Sequence, residues 1–158
     1  MTNELDEKQK LHKHFAALCF NECWNLIEDA HRSEDEDEEM RRLSEASFWH
    51  WSRVEDHTKE NLSVGYWQLA RVYAISGQTK QAIKYAEKCI KISKEGDLSP
   101  FFFGYGYEAK ARSLAEDGQD EQAKNVLTIA YDVANTVSND DEKKKLLEDL
   151  ESIKVSDS

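Results

Sequence analysis

Four side chains of this 158-residue chain stand at spacings that could do chemistry: Trp67 with Arg71, and Glu108 with Arg112. Each pair is spaced i,i+4, so each lies on one face of a helix. An aromatic ring, two guanidiniums and a carboxylate could hold an anionic group or the carboxylate end of a peptide, because arginine binds carboxylates bidentately. The same residues could instead form an internal bridge, with Glu108 pairing Arg112 and reaching Arg71. The two readings are compatible, since a ligand can open a bridge.

Other reactive types are less well placed. His50 lies between Trp49 and Trp51, where a histidine packs more often than it reacts; as a general base it would need an orienting partner and a substrate pocket. An alternative reading joins His50, Arg71 and Glu108 into one pocket of a small-ligand sensor or an enzyme. His12 and His14 are two residues apart and point to different helix faces, and His50 and His57 are seven apart. Neither spacing makes a zinc or di-iron ligand set, so no metal or other cofactor is expected. Cys19 and Cys23 share a helix face with no base beside them, and packing is their expected role. Gly104 and Gly106 fall on a predicted helix rather than in a phosphate-cradling loop.

Thirty-two acids against twenty-one lysines and arginines leave a net charge of −11. That argues against nonspecific nucleic-acid binding, which needs cations to release phosphate counterions, and equally against an anionic membrane surface, although a local basic patch could escape the global balance. An odd count of three cysteines without framework spacing suggests reduced thiols and a cytoplasmic location. The first fifteen residues contain no apolar signal core, and no stretch approaches a membrane span.

The elements that must position the four residues are helical. Apolar periodicity predicts helices over 5–31, 39–57, 62–76, 79–94, 100–117, 120–136 and 141–153, with no strand-period alternation. Leu11, Phe15, Leu18, Phe20, Trp24 and Ile27 form the apolar stripe of the first, and Ala46 is a candidate small contact residue in the second. The acidic run from Glu34 to Glu39 predicts a solvated loop leading into a helix start. Ser99-Pro100 and Ser138-Asn139-Asp140-Asp141 are helix-start signals, and Gly77 and Gly118 predict left-handed helix ends. Residues 155–158 are expected to fray.

Sliding residues 65–90 by 41 onto residues 106–131 brings Gly65, Tyr66, Ala70, Arg71, Ala74, Gly77, Gln78, Gln81 and Ala82 onto identical residues. Nine coincidences in 26 positions mark a duplicated pair of helices, which cannot bury its apolar face without a stacked neighbour. Residues 63–96 resemble the tetratricopeptide unit, with Tyr66 in its Trp slot, Leu69 and Tyr73 in the Leu and Tyr slots, and small Ala70 and Ala82 at the helix contact. Residues 104–137 repeat it with Tyr107, Ala111, Leu114, Gly118 and Ala123. Lys110 in the second Leu slot, Ala86 in place of an aromatic and the lack of a closing proline depart from the pattern. The strings around Trp49, Trp67 and Tyr107 also resemble short bacterial tetratricopeptide-like proteins of unknown function.

The resemblance implies an all-α domain: a right-handed stack of about three helical hairpins (5–57, 62–95 and 100–137) with a capping helix over 139–154. It implies a non-enzymatic module binding a protein or peptide segment, and it turns Trp67, Arg71, Glu108 and Arg112 toward a concave groove. Phe101, Phe102 and Phe103 cannot all face inward on one helix. At least one is expected outside the core, at a homodimer contact or a partner site.

Overall fold

A computed structural model of the chain describes residues 2–156. Among them are seven helices and no strand: α1 (Thr2–Glu28), α2 (Glu34–Arg53), α3 (Lys59–Ile75), α4 (Thr79–Glu95), α5 (Pro100–Glu116), α6 (Asp120–Ala134) and α7 (Asp140–Glu151). Each packs on its neighbours in the chain, α3 also packs on α5, and α7 lies on both α5 and α6. Among the described residues no helix is long and apolar enough to cross a membrane.

The duplicated sequence makes duplicated turns. Gly77 and Gly118 take φ of 82° and 77°, the left-handed region in which a side chain is strained. Gln78 N donates to Tyr73 O at 2.8 Å, and Gln119 N to Leu114 O at 2.9 Å. Gly77 N and Gly118 N donate to Ala74 O and Ala115 O. This is the same Schellman closure twice, 41 residues apart. Thr79 Oγ1 donates to the Asp117 carboxylate and so joins one turn to the other.

Small residues set how closely the helices approach. Buried Ala70, Ala86 and Ala109 meet where α3, α4 and α5 converge. A Cβ on Gly106 would come within 3.1 Å of the backbone nitrogen of Ile90, so α5 could not lie this near α4 with any larger residue. The larger core, from Tyr105 to Ile153, fills between α5, α6 and α7, with Leu146 and Leu150 fully inside. Glu45 of α2 accepts from both Tyr73 Oη of α3 and Tyr85 Oη of α4, tying the first pair of helices to the second.

The structure corrects several local expectations. The acidic run is helical, because Ser33 caps α2 in a reciprocal box with Glu36. Acids in the first turn favour the positive helix end, and Asp37 also pairs with Arg32. The close contact of α1 with α2 uses Ser47, whose hydroxyl donates to Ala16 O at 2.8 Å, rather than half-buried Ala46. Asn139, not Ser138, caps α7 by accepting from Glu142 N. Val155 packs on the core instead of fraying, while Asp157 and Ser158 lie outside the described residues. On α1, Ala16 and Cys23 are buried, whereas Leu11, Phe15 and Leu18 face outward.

Candidate functional site

Helix α3 presents Trp67 and Arg71 one turn apart, and α5 presents Glu108 and Arg112 in the same way, so the α3–α5 contact brings all four together. Glu108 is fully buried. One of its oxygens accepts from Trp67 Nε1 at 2.9 Å. The other accepts from Arg71 Nη1 at 3.2 Å and Arg112 Nε at 3.0 Å. A buried carboxylate needs such partners to stay charged, and here three donors converge on it.

The two arginines have different surroundings. Arg112 Nη2 donates onward to Asp149 O at 3.1 Å and Ser152 Oγ at 2.8 Å, which clamps α5 to the end of α7. Arg71 pairs with Glu108 and borders a cleft. Burial pulls the Arg71 guanidinium below its ordinary value, helped by Arg112 and opposed by Glu108 and Asp149. It keeps its charge, because arginine is not deprotonated in proteins.

The cleft has a volume of about 490 Å³. Phe20, Trp24 and Glu28 enter it from α1, and Ser63, Val64, Trp67 and Arg71 from α3. From α5 come Phe101, Phe102 and Tyr105, and from α7 Lys145 and Asp149. Only alternate helices contribute, because the intervening ones lie on the opposite side of each pair. The walls are aromatic: Trp24 and Trp67 have ring centres 5.3 Å apart, and Tyr105 meets Trp67 edge-on at 5.5 Å. Tyr105 Oη donates to the Asp149 carboxylate, and burial together with that bond pushes its pKa up, so it stays a donor.

Asp149 escapes sequence reasoning. It belongs to a polar helix outside the duplicated segment, and its one signal is register: it stands 41 residues after Glu108, as Glu108 stands 41 after Trp67. His50 is placed away from the cluster. Its ring neighbours are His12, Phe15 and Trp49, and it does not line the cleft. His50 and His12 oppose their Nδ1 atoms at 2.9 Å, so one donates and the other accepts. Burial, and then the neighbouring His12, pull His50 below the ordinary histidine value. Among the described residues no carboxylate hydrogen-bonds either ring in this pair, and no three of His, Cys, Asp and Glu are placed to hold a metal ion.

Phe101, Phe102 and Phe103 are each half-buried, so none is wholly taken up by the core. The first two form a cleft wall. The three thiols are unpaired, and burial raises Cys23 and Cys89 to about 12, which keeps both protonated and unreactive. Compared with models of known protein families, with curated proteins and with solved structures, the chain matches none.

Proposed function

We propose that this chain is a tetratricopeptide-like stack of three helical hairpins and a capping helix, working as a non-enzymatic module of the cytoplasm that binds a peptide segment. The segment enters the cleft with an aromatic or aliphatic side chain among Phe20, Trp24, Trp67 and Phe102, and its carboxylate rests on Arg71. The observation that carries this reading is the guanidinium of Arg71, held from behind by Glu108 and open toward an aromatic-walled cleft. Apolar walls with few convergent polar groups are the usual make-up of a binding site. The repeated Schellman turns and the packing of each helix on its chain neighbours support the stacked-repeat reading. Unpaired thiols support the cytoplasmic one.

The competing enzyme or sensor reading needs His50 beside Arg71 and Glu108. It has little support, because His50 sits on the first helical pair and all of Glu108's partners are internal.

Tryptophan fluorescence tests the proposal, since Trp24 and Trp67 form the cleft wall. Short peptides ending in a hydrophobic residue with a free carboxylate should shift the emission saturably. The same peptides with an amidated end should bind at least about tenfold more weakly, as expected for loss of one charge-assisted contact. Arg71→Gln should abolish that discrimination. Equal binding of acid and amide forms, or no response to either, would overturn the proposal.

A further inference from the structure

The apolar surface that the fold leaves uncovered is concentrated on α1. Leu11, Phe15 and Leu18 are 52%, 40% and 39% exposed, and Trp49 of α2, edge-on to His12 at 5.4 Å, is 49% exposed. The spacing of four and then three residues sets the three α1 side chains on one stripe, as in the seam of a coiled coil. Lys8 and Glu22 continue that stripe at its two ends, three residues before Leu11 and four after Leu18. Both are exposed, and among the described residues neither side chain makes an ion pair or hydrogen bond.

We propose that this stripe is the contact between two copies of the chain, with their α1 helices antiparallel about a two-fold axis near Phe15. The charges choose the occupant and the direction. An antiparallel copy sets Lys8 against the other chain's Glu22 at both ends of the stripe. A parallel copy would set lysine on lysine and glutamate on glutamate. The stripe is also where a chain of net charge −11 can approach itself: between Glu7 and Glu22 the helix carries three lysines and no acid. A self-complementary patch of this kind is what a two-fold interface requires. The surface is separate from the cleft, since none of these six residues lines it, so the two sites can be occupied together.

Sedimentation of the full chain over a range of concentrations tests this. A reversible monomer–dimer equilibrium is expected, and Phe15→Glu should leave a helical monomer, because the position is solvent-facing in the isolated chain. Lys8→Glu or Glu22→Lys alone should raise the dimer dissociation constant by about tenfold through two like-charge contacts. The double exchange, Lys8→Glu with Glu22→Lys, should restore it. A chain that stays monomeric at every concentration, or a dimer indifferent to Phe15→Glu, would overturn the proposal. Failure of the double exchange to improve on the single changes would overturn the antiparallel arrangement.

Discussion

Glu108 takes its donors from an indole and two guanidiniums, and the guanidiniums are not equivalent. Arg112 has a 12% exposed side chain and bonds to two further groups at the end of α7, whereas Arg71 is 20% exposed and borders the cleft. Truncating Arg112 strands part of a buried charge and unties α7, and Arg112→Met should cost about 3 kcal/mol or more. Arg71→Met leaves a site that water can reach from the cleft and should cost nearer 1 kcal/mol. Urea denaturation measures both, and equal losses would contradict the division of roles. The sequence marks the two arginines, because they are the only charged residues among the nine that coincide between 65–90 and 106–131. Their unequal roles are not legible there, since the difference lies in Asp149 and Ser152, which are 37 and 40 residues further along. His50 shows the converse limit. Its tryptophan neighbours are visible in the sequence, but its distance from Arg71 is a tertiary fact.

At the scale of elements, turns and caps are written locally, and burial is not. Gly77 and Gly118 signal their helix ends because a left-handed residue is needed where the chain reverses. A Cβ at either would meet nothing within 4 Å, so the cost of substitution is backbone strain alone. Gly118→Val should therefore lower stability by roughly 1 kcal/mol or more without disturbing packing, with a helical circular dichroism spectrum retained. An unchanged melting temperature would show that the turn is not under this constraint. Composition misleads at the start of α2, where six consecutive acids suggest a loop. Ser33 and Glu36 close a capping box across that run, and the helix end offsets part of the repulsion. Periodicity likewise identifies Leu11, Phe15 and Leu18 as one face of α1. It cannot say that α2 and α3 cover a different face, the one bearing Ala16 and Cys23.

For the whole molecule, charge is the long-range term. Two chains of net charge −11 with centres about 30 Å apart would repel by roughly 17 kcal/mol in salt-free water. The paired ends of the α1 stripe are exposed and contribute at most about 1 kcal/mol each. Repulsion therefore dominates at low ionic strength, and a Debye length of about 8 Å near physiological salt removes most of it. Self-association should strengthen as salt rises from about 10 to about 150 mM, and sedimentation at both concentrations checks the sign. Strengthening on dilution of salt would mean that local ion pairs govern the contact. The packing of each helix on its neighbours in the chain bears on kinetics as well. Most contacts close short stretches of chain, so little loop entropy is lost before each new contact forms, and folding should fall in the fast range of helical domains, microseconds to milliseconds. The meeting of Trp24 with Trp67 skips a whole helix, so the cleft wall cannot close by zipping up a single turn and needs two helical pairs brought together.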